Sequence, residues 1–282
     1  MFIQFLKFLI RRITAVKYGY RIPDKCKLFI CAILASVPAT FRENFSALDV
    51  AIERVIGLCL RKALALIDSI KFYLADYDSL ITVSKEYEAP IRRYFNLKAG
   101  VFVDVGAHIG KYAVGVAKEL RQGLVIAIEP SPKVYAVLVR NIDINGLNNI
   151  IAIDKAAYNK SARLRLYKSS ALSMYSIKNY QEMGFIEVEV ETLDNILEKL
   201  DIKGVKLVKI AVEGAEIEVL EGFRNGIIRD KPQMIIECRE ENQEKLMNLM
   251  EEFRYQVNPI MEVPNYFYCK YVNYHDSHAD IQ

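Results

Sequence analysis

The stretch that decides the fold is Val-Phe-Val-Asp-Val-Gly-Ala-His-Ile-Gly, residues 101–110. Its first half is a short apolar, β-branched run, which predicts a buried strand, and a helix is predicted to follow over residues 111–120. Gly106 allows the backbone to turn sharply because it has no Cβ, and Gly110 allows a ligand or a facing strand to approach the start of the helix. The free N–H groups of that helix would point into the crevice where doubly wound sheets bind their ligands.

The same alternation of strand and helix continues along the chain. Buried strands are predicted at 124–128, 150–153, 205–212 and 233–238, half-exposed strands at 163–167 and 186–190, and a Tyr-rich strand at 266–271. Helices are predicted at 132–141, at 193–200, from 215 onward and at 242–253. Short strands separated by helix-length segments predict an α/β fold with a mostly parallel sheet and helices on both faces.

A different, helical region is predicted for residues 1–80, and residues 81–282 are assigned to the α/β domain. A basic amphipathic helix is predicted over about 2–16 and a second helix over about 47–74. The first forty residues hold seven Lys or Arg and one acid, a net charge of +6, whereas the remainder carries −3. Such a region either caps its own domain or docks on an anionic membrane surface or a partner, and both interpretations stay open.

Composition excludes several classes of protein. Of the 282 residues, 52% are hydrophobic and 26% are charged, which is enough for a core and excludes wholesale disorder, collagen and coiled-coil repeats. No segment reaches the ~18–20 apolar residues of a membrane span. The five cysteines include no Cys-x-x-Cys pair, which indicates buried free thiols in a reducing compartment. We therefore expect a cytoplasmic protein, with peripheral membrane association through residues 1–40 as an additional hypothesis.

The turn at residues 104–110 also carries the first indication of a ligand. Asp104 precedes the turn, where a negative charge would repel a pyrophosphate but attract an ammonium group. His108 stands where a dinucleotide-binding turn has its second glycine, so a pyrophosphate could not approach the backbone there. We therefore expect the amino-acid end of S-adenosyl-L-methionine near this turn rather than NAD. The alternative for His108 is a local hydrogen bond at the start of the helix.

Two further strand ends complete the predicted nucleoside site. Glu129 ends the next strand, where an acid can accept both hydroxyl groups of a ribose. The alternative is a surface turn, since Pro130 follows directly. The third strand ends at Asp154-Lys-Ala156, the place where the edge of an adenine would be read.

The fourth informative stretch is Leu-Val-Lys-Ile-Ala-Val-Glu-Gly-Ala-Glu, residues 207–216, a strand that leads directly into a helix. Lys209, Ala211 and Glu213 share one face of it, because side chains alternate along a strand. Together with 104–110, Glu129-Pro130 and Thr192-Leu-Asp194, this stretch resembles the FkbM-type S-adenosylmethionine-dependent methyltransferases. The resemblance covers about residues 80–250, and its Glu-Gly-x-Glu ending is distinctive, whereas many methyltransferases share the first turn.

The resemblance implies a Rossmann-like class I methyltransferase with a seven-stranded, mostly parallel sheet, acting mostly on hydroxyl oxygens of sugars or related small molecules. It implies that Asp104, Gly106 and Gly110 hold the methionine part, that Glu129 holds the ribose, and that Glu213 lines the catalytic pocket. The predicted cofactor site comprises Asp104, Gly106, Ala107, His108, Gly110, Glu129, Asp154 and Ala156. The predicted catalytic set comprises Glu213, Ala211 and His108. No metal site is expected, because His275 and His278 near the C-terminus have no evident third ligand.

One position departs from the family pattern. The strand usually reads Lys-Ile-Asp-Val-Glu-Gly, but here the Asp position is Ala211. Three interpretations stay open: Glu213 replaces the function of the aspartate, the acceptor needs no strong base, or the chain is an impaired or non-catalytic cofactor-binding protein. An NAD-dependent oxidoreductase is the more distant alternative.

The sequence says less about partners than about the cofactor. The net acidic charge beyond residue 40 disfavours a nucleic-acid substrate, because phosphate contacts need basic groups. A small-molecule, sugar or lipid-linked acceptor is expected instead. Its selectivity is assigned to residues 1–90, 168–184 and the Tyr-rich C-terminal segment, with Tyr175, Tyr180 and Phe185 as aromatic candidates. A monomer and a homo-oligomer both stay open.

Overall fold

The structure is a computed structural model that describes residues 2–37, 46–169, 172–178 and 184–273. Tyr180, His275 and His278 lie outside the described residues. The N-terminal region contains three helices, a hairpin and a short helix: α1 (Phe2–Ala15), α2 (Ile22–Ala35), α3 (Ser46–Leu60), β1 (Leu64–Ile67), β2 (Ile70–Tyr73) and α4 (Asp78–Val83). A 3-10 segment, Ala89–Phe95, leads into the α/β part.

The α/β part follows the predicted alternation. Its first half contains β3 (Ala99–Val105), α5 (Lys111–Glu119), β4 (Gln122–Ile128), α6 (Pro132–Ile144), β5 (Ile150–Ile153), β6 (Ala156–Ala157), β7 (Ala162–Tyr167) and β8 (Phe185–Glu191). Its second half contains α7 (Leu193–Lys199), β9 (Val205–Ile210), α8 (Glu216–Glu221), α9 (Arg224–Asp230), β10 (Gln233–Glu237), α10 (Gln243–Glu252), β11 (Tyr255–Pro259) and β12 (Tyr266–Tyr271).

Seven strands form the main sheet, in the order β11-β12-β10-β9-β3-β4-β5. All neighbouring pairs from β10 to β5 are parallel, and β12 runs antiparallel to both of its neighbours. The chain moves outward from β3 to β5 and then returns to the other side of β3 with β9, so the strand order reverses between β3 and β9. The predicted fold class, a doubly wound seven-stranded sheet with helices on both faces, is confirmed. Ligands of such sheets bind at this reversal point, outside the carboxyl ends of the strands.

Two hydrophobic cores cover the two faces of this sheet. One contains buried side chains of α5 and α6 together with those of the N-terminal region, from Ala15 to Leu80. The other contains buried side chains of α7 to α10. The first core is continuous across residue 80, so the N-terminal region packs on the α/β part as a cap. The division of the chain into two domains at residue 80 stays a prediction.

The predicted second helix over 47–74 is wrong in its second half. Helix α3 ends at Leu60, and residues 64–73 form the antiparallel β1–β2 hairpin. Asp68 and Ser69 make the turn with φ values of 50° and 63°, the left-handed pair that a two-residue hairpin turn needs. Along β2, Ile70 and Phe72 are buried while their neighbours are half-buried, so the burial period is two. The prediction did not include α2 and β11.

Two asparagines of α6 attach the hairpin to the main body. The Asn141 side chain accepts from the backbone N–H of Tyr73 (2.7 Å) and donates to the Tyr73 carbonyl (3.1 Å). Asn145 makes the same pair of bonds with Lys71, at 3.0 and 2.8 Å. Asn141 is fully buried and also donates to the carbonyl of Ile109 (2.8 Å). The hairpin is therefore linked through Asn141 to the turn that precedes α5.

The small strands and the cysteines complete the description. Strands β6, β7 and β8 form a separate three-stranded sheet in the order β6-β8-β7, which agrees with the two half-exposed strands predicted there.

The five cysteines are free; Cys31, Cys238 and Cys269 are buried, as predicted, but Cys26 is exposed. Within the described part of the chain, no helix has both the length and the apolar character to cross a membrane.

Candidate active site

The turn after β3 is held between two neighbouring strands. Gly106 has a φ of 76°, and a Cβ placed on it would lie 1.9 Å from the carbonyl oxygen of Ala211. The backbone N–H groups of Gly106 and Ala107 both donate to the carbonyl of Ile128, at 3.0 and 2.9 Å. Only glycine can therefore occupy position 106, because any side chain would push apart the ends of β3 and β9.

The turn opens into a crevice at the carboxyl edge of the sheet. Six residues of the predicted site line it: Gly106, His108, Glu129, Ala156, Ala211 and Glu213. Leu172, Ser173, Tyr175 and Ile177, which come after β7, form another wall. The crevice has a volume of about 60 Å³, whereas sites for small organic ligands usually have ~300–1,000 Å³. The crevice as it stands is therefore smaller than a site that holds a whole small organic ligand.

Glu129 lies at the end of β4 with its carboxylate directed at the turn. Its Oε2 accepts from the backbone N–H of His108 (3.0 Å) and its Oε1 from that of Ser131 (2.9 Å). A carboxylate offers about four lone-pair sites, so both oxygens can still accept a further hydroxyl. Burial raises the pKa of Glu129 to about 7, while the two N–H donors act in the opposite direction.

His108 occupies a strained backbone position in the same turn, with a φ of 51°. Its Nε2 is buried and has no hydrogen-bond partner among the described residues. Burial lowers the pKa of His108 to about 4, so the ring is neutral at pH 7. A neutral imidazole with one unsatisfied nitrogen at a crevice wall is available to hydrogen-bond a ligand.

Asp104 does not line this crevice. The side chain is fully buried behind the turn; its Oδ2 accepts from the backbone N–H of Ala113 (3.0 Å), and its Oδ1 lies 3.4 Å from Nζ of Lys209. Burial raises the pKa of Asp104, and the Lys209 ammonium opposes this shift. Asp104 thus contacts groups of the protein itself, and its predicted contact with a ligand ammonium stays a prediction.

Three other predicted cofactor residues also lie away from the crevice walls. Gly110 has a φ of 96° and faces Leu138, so its lack of a side chain serves the packing of α5 on α6. Ala107 is buried within the turn, and Asp154 is exposed at the end of β5. The structure therefore places four of the eight predicted cofactor residues at the crevice. The role of each of the eight in binding a cofactor stays a prediction.

The predicted catalytic residues do meet in the crevice. Ala211 follows β9, and its backbone N–H donates to the carbonyl of Val105 (3.1 Å). Glu213 has a φ of 56°, and its Oε2 accepts from Arg239 at 2.7 Å in a partly exposed ion pair. Ser176 donates to the Glu213 carbonyl at 2.6 Å, which connects the 172–177 wall to the strand end.

Sequence analysis missed a set of side chains that we call the carboxylate row: Glu88, Tyr112, Glu237 and Tyr266. The Tyr266 hydroxyl lies 2.7 Å from Oε1 of Glu88 and 3.1 Å from Oε2 of Glu237, and Tyr112 donates to Oε2 of Glu88 at 2.7 Å. Burial, followed by the nearby charges of Glu213 and Glu88, raises the pKa of Glu237 to about 7. A hydroxyl has a single proton, so bonding both carboxyl groups requires that one of them be protonated and donate.

The carboxylate row adjoins the position where the family residue is missing. Ile236 of β10 pairs with Ile210 of β9, so Glu237 and Ala211 each follow a paired residue and project to the same face. The signal for Glu237 was present in the sequence, because it ends a predicted buried strand at the same edge as Glu129. Glu88 and Tyr112 join the row only through tertiary packing.

Comparison with known proteins gives a consistent family match. The family model described as the methyltransferase FkbM domain matches residues 104–257. Methyltransferase 1 of Beauveria bassiana is 26% identical over 142 residues, which cover 43% of this chain and 57% of that protein. Methyltransferase sdnD of Sordaria araneosa is 28% identical over 160 residues, which cover 45% of this chain and 62% of that protein. The chain therefore spans less than two-thirds of the length of these curated relatives.

Among solved structures, the FkbM methyltransferase of Methylobacillus flagellatus aligns with a TM-score of 0.47 and 17% sequence identity. The alignment covers 95% of this chain and 60% of that chain.

Proposed function

Because this chain belongs to the FkbM methyltransferase family, we propose that it transfers a methyl group from S-adenosyl-L-methionine to a hydroxyl oxygen of a sugar, glycolipid or related small molecule. The observation that carries the proposal is the crevice at the reversal point of the sheet, where Gly106, His108 and Glu129 converge.

The residues of the crevice fit this cofactor. Glu129 has free lone pairs for two ribose hydroxyl groups, and those donors would favour its charged form. His108 offers an unsatisfied buried nitrogen at the same wall. The cofactor supplies an electrophilic methyl group on a sulfonium, whose positive charge disappears during transfer, so apolar walls such as Ala156 and Ala211 favour the reaction.

The chain itself must position the acceptor and receive its proton. An alcohol is a poor nucleophile until a nearby base accepts that proton. Glu213 lines the crevice and is our first candidate for this base, and His108 is our second. The Arg239 ion pair fixes the orientation of the Glu213 carboxylate. Glu237 lies beside Ala211 and is the carboxyl group that could accept the proton in place of the missing aspartate.

Methyl transfer from labelled S-adenosyl-L-methionine tests these assignments with Glu213→Gln, Glu237→Gln and Ala211→Asp. We expect a loss of 10²- to 10⁴-fold in kcat for the variant that removes the base, the usual contribution of general base catalysis. Cofactor affinity, measured in parallel by calorimetry, should stay within a few fold. An unchanged rate in Glu213→Gln removes that residue from the mechanism.

A second candidate function rests on Ala211 alone. If the chain binds the cofactor without catalysing transfer, the wild type should bind S-adenosyl-L-methionine and show no turnover with any hydroxyl acceptor. Ala211→Asp should then restore turnover by a large factor, because Asp would stand beside Glu237 and Lys209. Equal turnover of wild type and Ala211→Asp would exclude this reading in favour of an active enzyme.

We also propose that the N-terminal region docks on an anionic membrane surface. Helices α2 and α3 leave large apolar side chains exposed: Ile22 78%, Phe29 44%, Ile30 45%, Ile33 48%, Val55 41% and Leu58 60%. Arg21 and Lys25, at the start of α2, are exposed, and residues 1–40 carry a net charge of +6. An exposed apolar face bordered by basic residues favours partial insertion among anionic lipid headgroups.

Sedimentation of the full chain with phosphatidylglycerol vesicles tests the docking. The triple variant Phe29→Ser, Ile30→Ser, Ile33→Ser should lose most binding. The matched control Ile228→Ser, Met261→Ser changes residues that are equally exposed elsewhere, at 62% and 85%, and should bind like the wild type. Equal binding of all three proteins would contradict the proposal.

A further inference from the structure

A second and larger cavity lies away from the crevice, between the β1–β2 hairpin, the Ala89–Phe95 segment and helix α5. Its volume is about 670 Å³, within the range of ~300–1,000 Å³ usual for small-molecule sites. Buried apolar side chains form much of its lining, among them Ile67, Ile70, Phe72, Phe95 and Val116. Nothing in the crevice chemistry uses this space.

The polar part of the lining is predominantly cationic. Four basic residues line the cavity, Arg92, Arg93, Lys111 and Lys118, against the two acids Asp68 and Glu119. Asp68 is already shared by Arg92 and Lys85, so one carboxylate faces two cations.

Lys111 is the cation that most needs a counter-ion. Its ammonium is half-buried, donates to the carbonyl of Tyr87 and lies 4.8 and 5.1 Å from the ring centres of Tyr87 and Tyr112. Among the described residues, no carboxylate lies within 4 Å of it. Burial lowers the pKa of Lys111 to about 8, Glu88 opposes this shift, and Arg92 adds to it. Two cations therefore face one space, which an anion would neutralise.

Gly115 keeps the floor of the cavity open. It lies within α5, where glycine is unfavourable by about 1 kcal/mol relative to alanine. A Cβ placed on it would meet only Ile70 Cδ1, at 3.9 Å, so packing does not demand the glycine. A larger side chain at this position would extend into the cavity.

From the apolar lining and the two facing cations we propose that this cavity binds a single-chain anionic amphiphile, with the carboxylate or phosphate at Lys111 and Arg92 and the alkyl chain along Ile70, Phe72 and Gly115. Each methylene group that leaves water for the apolar lining strengthens binding by about fourfold. A carboxylate that bonds the ammonium gains a charge-assisted hydrogen bond that an uncharged head group cannot make. The inference does not depend on the methyltransferase activity.

Calorimetry with the full chain and monomeric fatty acids tests the site. Dodecanoate should bind about fifteenfold more tightly than decanoate, which is two methylene groups shorter, and at least tenfold more tightly than uncharged dodecanol. Lys111→Gln should lower dodecanoate affinity about tenfold, whereas Lys133→Gln, at an exposed position of α6, should not change it. Equal affinity for dodecanoate and dodecanol in the wild type would overturn the proposal without any variant.

The location is tested with Gly115→Leu, which fills the cavity, and Gly57→Leu, the same change at an exposed position of α3 with nothing within 4 Å. Gly115→Leu should abolish dodecanoate binding and Gly57→Leu should preserve it; equal binding by both variants would overturn the proposal. Calorimetry with monomeric lysophosphatidylglycerol beside dodecanoate separates the sources of the ligand. Tighter binding of this single-chain phospholipid identifies a membrane lipid as the occupant, and tighter binding of dodecanoate identifies a free fatty acid.

Discussion

Glu237 links the electrostatics of the site to the stability of the fold. Its pKa is raised to about 7 in the folded protein, mainly by burial, whereas an unfolded Glu titrates near 4.3. Between these two values the folded state holds a proton that the unfolded state has lost, so unfolding releases a proton. The stability contributed by protonated Glu237 is therefore complete below about pH 4.3 and is lost as the pH rises through about 7.

We expect Glu237→Gln to gain stability relative to the wild type as the pH rises, because glutamine never ionises and its amide N–H can donate to the Tyr266 hydroxyl as the protonated carboxyl group does. The gain should reach about 3 kcal/mol above pH 7, as one pKa unit corresponds to about 1.4 kcal/mol. Urea unfolding of both proteins at pH 4.5, 6 and 7.5 measures it. Glu262→Gln is the control, because Arg93 lowers the pKa of that exposed carboxyl and its small effect should have the opposite sign. A difference in unfolding free energy between wild type and Glu237→Gln that does not change with pH would contradict the raised pKa of Glu237.

Sequence analysis predicted placement at the crevice for residues at the ends of the inner strands β4 and β9, but Asp154, at the end of the edge strand β5, lies away from it. Glu129, Ala211 and Glu213 end or follow strands of the parallel sheet, so they had to meet at one edge. Asp104 faces α5, where it accepts from the backbone N–H of Ala113 and lies 3.4 Å from Lys209. The sequence did not distinguish a carboxylate facing a ligand from one facing a buried lysine, because only tertiary packing places Lys209 there.

Among the elements, the β1–β2 hairpin is the one that sequence patterns assigned incorrectly. The run Leu64–Leu74 is apolar enough to continue a helix, and a short apolar run fits helix and strand alike. Asp68-Ser69 was the available turn signal. The interactions that stabilise the strand come from residues distant in sequence. The side chains of Asn141 and Asn145 accept hydrogen bonds from backbone N–H groups of β2, as a neighbouring strand would.

These two asparagines give a paired prediction. Asn141→Ala leaves the buried carbonyl of Ile109 and two half-buried backbone groups of Tyr73 without partners, so it should cost about 3 kcal/mol of unfolding free energy. It should also weaken binding of S-adenosyl-L-methionine several fold, because Ile109 belongs to the turn that forms the crevice. Asn145→Ala removes the partner of the half-buried Lys71 backbone and one donor to the Asn141 carbonyl. None of these groups belongs to the turn, so a smaller loss of about 1 kcal/mol and an unchanged affinity are expected. Urea unfolding and calorimetry measure both effects, and equal losses of affinity would show that the turn does not depend on Asn141.

At the scale of the whole molecule, the N-terminal region and the sheet share one core. Leu28 in α2, Phe72 in the hairpin and Tyr112 in α5 all belong to it. A shared core predicts that these parts unfold together, whereas an independently folded N-terminal domain would unfold by itself. Composition and charge marked residues 1–80 as distinct, but neither property reports whether two regions bury their apolar surfaces against each other.

Adjacent residues of α2 test this cooperativity. Leu28 is fully buried and Phe29 is 44% exposed, so Leu28→Ala should cost about 2–5 kcal/mol and Phe29→Ala less than about 1 kcal/mol. Hydrogen exchange then shows which elements lose protection of their amides when stability is lost. If the molecule unfolds as one unit, Leu28→Ala should accelerate exchange of the slowest amides of β3 by the same factor as those of α2, because both exchange through the same global opening. Acceleration confined to residues before 80, with β3 unchanged, would show that the N-terminal region opens independently and that the continuous core does not couple the two parts.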